Sequence, residues 1–141
     1  GRTPVNVLYQ GALNDEVIPH SGTDLVSWAL GLEQVDARRV VPEMPQVQSP
    51  RRGSYLGDAT TLGYFQYPDA EHIFFLASEY PGTRESAQFQ AAGFLRTALD
   101  GRKDGKGGLI IDPFVCTQGD DLLKAVKDAA GITVPANDFC E

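Results

Sequence analysis

Apolar and polar positions alternate at the start of the chain. Val5, Val7 and Tyr9 fall on one side of an extended segment and Leu8 adds apolarity on the other. Residues 5–11 are therefore predicted to form a strand buried on both faces that enters a loop at Gly11. After a loop from Ala12 to Pro19 the period changes. Leu25, Trp28, Ala29 and Leu32 recur at i, i+3, i+4 and i+7, one face of a helix that Ser21 or Thr23 can cap and Gly31 frays. Residues 38–41 read as a second strand halted by Pro42. Residues 42–60, rich in Pro, Gly, Ser and Gln, read as an irregular loop with a solvated Arg51-Arg52 pair.

Residues 63–67 form a short predicted strand, and a turn over 68–71 leads to His72. The clearest helix opens at Thr83 and carries Ala87, Ala91, Phe94, Leu95 and Ala98 on one face, with Glu85 suited to its first turn. Residues 100–108 form a turn-rich loop whose carboxylates are too few and wrongly spaced for calcium. A strand over 108–114 and a final helix over 119–130, with Asp120 and Asp121 at its start and Gly131 past its end, complete the pattern. Strands alternating with helices imply an α/β layer structure, with a mostly parallel sheet flanked by helices.

The length of 141 residues suits one domain, and 42% apolar residues suffice for a core. With 12 basic and 19 acidic residues the net charge is −7, which disfavours a nucleic-acid partner bound through its phosphates. The longest apolar run, residues 73–77, falls far short of the ~20 residues that span a bilayer. The chain opens on Gly1 rather than Met, as expected of a processed chain or a fragment.

Cys116 and Cys140 are the two cysteines. A bridge between them would close a loop of about two dozen residues and contribute roughly 3.5 kcal/mol, tying the segment 109–141 to the body. The alternative is two free thiols. A bridge implies an extracellular or periplasmic location. The spacing fits no zinc site.

His20 and His72 are the only imidazoles. Asp15 and His72 each follow a predicted strand, where α/β sheets place working residues. A carboxylate behind an imidazole fixes its tautomer and stabilises the imidazolium, so Asp15 and His72 form a candidate acid–base pair. His20 shares the loop of Asp15 and is expected at most on the rim of such a site. Ile73, Phe74 and Phe75 either pack the core or line an acyl pocket.

The stretch VLYQGALNDEVIPHSGTDLVSWALGL resembles the seventh-strand region of α/β-hydrolases. Gly11 ends a strand, Asp15 stands at the catalytic acid, and Ile18-Pro19 precede the next helix. GYFQYPDAEHIFFL then resembles the eighth strand with its catalytic His at His72, and SAQFQAAGFLRTALDG the closing helix. The resemblance covers residues 3 to about 100 and is nearest to bacterial extracellular lipases and esterases. It implies the C-terminal portion of an α/β-hydrolase fold, a Ser-His-Asp triad, an ester or lipid substrate, and neither cofactor nor metal.

The nucleophile elbow G-x-S-x-G is missing. Gly53-Ser54-Tyr55-Leu56-Gly57 places its Ser one position too early, and Ser21, Ser27, Ser49, Ser78 and Ser86 stand in no such pattern. The expectation is a hydrolase portion that supplies acid and base, while an N-terminal chain of the same enzyme carries the Ser. Alone, the chain is expected to be inactive. The predicted first strand would then offer an open edge to that chain, or to a second copy by edge-strand pairing. The alternative is a non-catalytic binding or structural module on a hydrolase scaffold.

Overall fold

A computed structural model describes residues 5–76 and 81–114 of the chain. The element order is β1 (Val7–Ala12), α1 (His20–Ala29), β2 (Glu33–Val35), β3 (Gln46–Val47), β4 (Arg51–Arg52), β5 (Leu62–Tyr67), α2 (Pro81–Gly101), a short 3-10 turn (Arg102–Asp104) and β6 (Leu109–Ile110). Four strands form a parallel sheet in the order β1-β5-β2-β3, and β4 pairs antiparallel with β6. The fold is thus α/β with a mostly parallel sheet.

Alternation along β1 and β5 sorts the core into two layers. Leu62 and Tyr64, with Val7 and Tyr9, pack on Leu32, Val41 and Met44. Phe65, Tyr67 and Ala12, with Leu8, pack on Phe74, Ala87, Phe94 and Ile110. The register Val7↔Leu62 to Ala12↔Tyr67 places equivalent positions side by side. The amide of Gln10's side chain donates to Ala87 O in α2, whereas a side chain at Gly11 would run into Thr23 of α1. Consecutive strand residues face opposite ways, so the two helices cover opposite faces of the sheet.

β1 pairs only with β5 among the described residues. Val7 N donates to Thr61 O and Leu13 N to Tyr67 O. Odd positions thus turn their main chain toward β5, and those of Leu8, Gln10 and Ala12 turn toward the open edge.

Several expectations give way. α1 starts at His20, with Pro19 rather than Ser21 or Thr23 as its cap residue and no side-chain cap bond. Its buried residues are Thr23 and Ser27, while Leu25 and Trp28 are 64% and 53% exposed. Small side chains let the helix approach the sheet at Gly11 and Tyr64, which turns the periodic apolar face outward. α2 starts at Pro81 and runs on to Gly101, and Leu95 stands outside its buried stripe.

Residues 38–41 form no strand. The N–H groups of Arg38 and Arg39 donate to Gln66 Oε1 at 3.2 and 2.9 Å, and that of Val41 to Gln34 Oε1 at 3.0 Å. Glutamine side chains replace a ladder there. β2 lies just upstream, at Glu33–Val35, and the stretch 42–60 contains β3 and β4. Arg51 is no solvated residue: its guanidinium holds buried Glu33 in two 2.9 Å bonds. The strand expected over 108–114 is confined to Leu109–Ile110. The helix expected over 119–130 and the Cys116–Cys140 bridge lie outside the described residues.

Candidate functional site

Two loops leave the carboxyl ends of neighbouring parallel strands and are joined by their backbones. Beyond β1, Leu13 N donates to Tyr67 O at 3.1 Å and Asn14 N to Ala70 O at 3.0 Å. Ala70 is fully buried within the turn after β5. Phe74 anchors the other side of the histidine loop, its ring centroid 5.2 Å from that of Tyr67. The chain is thereby pinned on both sides of His72.

This pinning brings Asp15 and His72 together. His72 Nδ1 lies 3.0 Å from Asp15 Oδ2 and 3.2 Å from Oδ1. The Asp15 side chain is 13% exposed and the His72 ring 38%. Asp15 Oδ1 also accepts the N–H groups of Val17 and Ile18, each at 2.8 Å, which fixes its rotamer. Desolvation pushes the Asp15 carboxyl up. The N–H of Ile18, the His72 ring and the N–H of Val17 outweigh it and hold the carboxyl below its ordinary value.

An ionised carboxylate only accepts hydrogen bonds, so Nδ1 carries the proton toward Asp15. Nε2 is then left as the basic nitrogen. Such an imidazole can take a proton from a hydroxyl, and the carboxylate steadies the resulting cation.

His72 is followed by a strained residue. Ile73 has φ +56°, a left-handed backbone that β-branched side chains rarely adopt. Its side chain is 63% exposed, whereas Phe74 is buried. Of the apolar run after His72, Phe74 packs the core while Ile73, Phe75 and Leu76 face outward.

His20 opens α1 at the surface, and the contacts of Asp15 run to His72, Val17 and Ile18. The hydroxyls of Ser27 and Ser86 donate to Thr23 O and Gly82 O within their own helices. Ser54 sits in a tight turn paired with Gly57, where its Oγ accepts the Leu56 N–H. That turn is no strand-to-helix elbow. No group of three or more His, Cys, Asp or Glu side chains converges as metal ligands among the described residues. Nor, among them, is any helix long and apolar enough to cross a membrane.

Sequence reasoning passed over the pinning contacts. The Asn14–Ala70 bond is a backbone contact with no side-chain signature, and nothing in an Ile announces positive φ. Pro68-Asp69 does announce the turn that buries Ala70.

No known protein family, curated protein or solved structure matches this chain.

Proposed function

We propose that the chain supplies the acid and the histidine of a Ser-His-Asp triad in an α/β-hydrolase-type ester hydrolase acting outside the cytoplasm. The observation that carries this reading is the contact between the Asp15 carboxylate and His72 Nδ1, from loops past the ends of adjacent parallel strands. Asp15 orients the ring, and His72 Nε2 removes the proton of a serine hydroxyl as it attacks the ester carbonyl. The same nitrogen returns the proton to the departing alcohol, and water repeats the cycle on the acyl-enzyme.

The 141 residues hold no G-x-S-x-G, so the serine comes from another segment, the hydrolase's N-terminal part. The outer edge of β1, unpaired among the described residues, suits the docking of that segment.

The test uses the natively purified assembly and p-nitrophenyl ester turnover. His72→Ala is expected to lower kcat by at least a thousandfold, and Asp15→Asn by about two to four orders of magnitude. A fluorophosphonate probe is expected to label a serine outside these 141 residues. A loss under tenfold in His72→Ala overturns the reading. Native material without any labelled serine favours the binding-module alternative.

A further inference from the structure

A concavity of about 260 Å³ opens at the end of the sheet opposite Asp15 and His72. Asp15 and His72 lie past the carboxyl ends of β1 and β5. Trp28 and Leu32 precede β2, and Glu43, Met44 and Pro45 precede β3, so these line the amino ends of parallel strands. Leu32 and Met44 are buried and form an apolar floor. Trp28 and Tyr55 line it while keeping more than half of their surface exposed.

The backbone of Tyr55 is anchored beside the concavity. Its N–H donates to buried Glu33 at 3.1 Å. Its hydroxyl lies where a side chain at Gly31 would stand, 2.6 Å from the position of a Cβ, and Gly31 has φ +65°. The positive φ favours glycine there.

Glu43 adds the charge. Its φ is +66°, directly after Pro42, in a turn closed by the bond from Met44 N to Val41 O. Proline followed by a positive φ is the type II pattern, whose third position favours glycine. A glutamate there carries backbone strain, of the kind that concentrates at ligand sites. Glu43 is one of the residues lining the concavity, it is exposed, and it pairs with no cation among the described residues.

We infer that this concavity binds a small organic cation of the alkylammonium class. Trp28 and Tyr55 bring two aromatic rings to the lining, and ring quadrupoles attract positive charge. Glu43 neutralises it, and the floor of Leu32 and Met44 takes the alkyl carbons. An anion meets the Glu43 carboxylate and the net charge of −7. A neutral apolar guest leaves that carboxylate partly desolvated and unpaired.

Trp28 is the single tryptophan of the chain, so intrinsic fluorescence reads the site directly. The full chain is titrated with choline chloride, with its uncharged carbon isostere 3,3-dimethylbutan-1-ol, and with sodium chloride at equal ionic strength. Choline is expected to give a saturable change in emission, and the isostere to bind at least about fivefold more weakly. Glu43→Gln is expected to weaken choline by at least about fivefold. Glu43→Gly removes the same charge and suits the backbone, so it is expected to raise Tm while losing binding, which separates lost recognition from lost folding. His72→Ala is expected to leave choline affinity unchanged. An unsaturable response, equal binding of the isostere, or undiminished affinity in Glu43→Gly overturns the inference.

Discussion

Asp15 and His72 stand 57 positions apart in the chain, yet Oδ2 and Nδ1 are 3.0 Å apart. Neither loop alone fixes this. The Asn14–Ala70 and Leu13–Tyr67 backbone bonds join the loops, and the Val17 and Ile18 amides aim the carboxylate.

Acid titration tests the carboxylate's hold on its neighbours. The Asp15 carboxyl lies below its ordinary value in the folded chain. Its contribution to stability is therefore complete above about pH 4 and is lost as pH falls through the lowered value. Asp15→Asn is expected to flatten the decline of the urea midpoint below pH 4. Parallel acid limbs in the two proteins would refute this.

Asp112 is expected to behave with the opposite sign. Its side chain is 1% exposed, and burial pushes its carboxyl up despite the Phe114 N–H and an Arg38 guanidinium at 2.5 Å. Between its ordinary value and the raised one the folded chain binds more protons than the unfolded chain, so stability falls as pH rises through that window. Asp112→Asn abolishes that fall, read as a smaller drop in urea midpoint from pH 4 upward.

Packing at the sheet centre predicts a coupled pair. A Cβ at Gly63 would stand 2.1 Å from Ile110 Cδ1 and 3.3 Å from Val35 Cγ2. Ile110 is fully buried and has no room to swing aside. Gly63→Ala alone is expected to cost about 2 kcal/mol. Ile110→Val removes the offending methyl and by itself costs about 1 kcal/mol. The double variant is expected to be no less stable than Gly63→Ala, so the two costs do not add. Additive losses in chemical denaturation would show that the clash is not local.

Ile73 offers a gain. Its side chain is largely exposed, and its φ of +56° is strained for a β-branched residue. Ile73→Gly is expected to raise stability by about 0.5–1 kcal/mol, seen as a higher Tm. An unchanged or lower Tm would mean that the loop is held by the isoleucine side chain itself.

The strands that carry the candidate pair were legible because hydrophobic alternation and local turn residues agree there. Val7, Tyr9, Tyr64 and Tyr67 announce β1 and β5, and Pro68-Asp69 announces the turn before His72. Legibility failed where tertiary contacts override local pattern. Glu33-Gln34-Val35 reads as polar, yet β2 is buried because Arg51 neutralises Glu33 and Gln34 bonds to Arg39 O and Val41 N. Arg38-Arg39-Val40-Val41, stopped by Pro42, looks like a strand, but Gln66 has taken the Arg38 and Arg39 amides. α1 misled most plainly. Its periodic face is real, but the small Thr23 and Ser27 set the closest approach to the sheet. Strand-end placement makes Asp15 and His72 a candidate pair only weakly, and the resemblance of their flanking stretches to α/β-hydrolases strengthens it, while the distance and the strain beside it rest on contacts between distant segments.

Among the described residues no strand covers the outer border of β1, and that border governs how this polypeptide tolerates crowding. Leu8, Gln10 and Ala12 offer a row of outward amides and carbonyls that any extended chain of matching length can zip onto, including another copy of itself. Losses to precipitation should therefore grow with the square of concentration in their early stage, and synthesis alongside a strand that caps this border should suppress them.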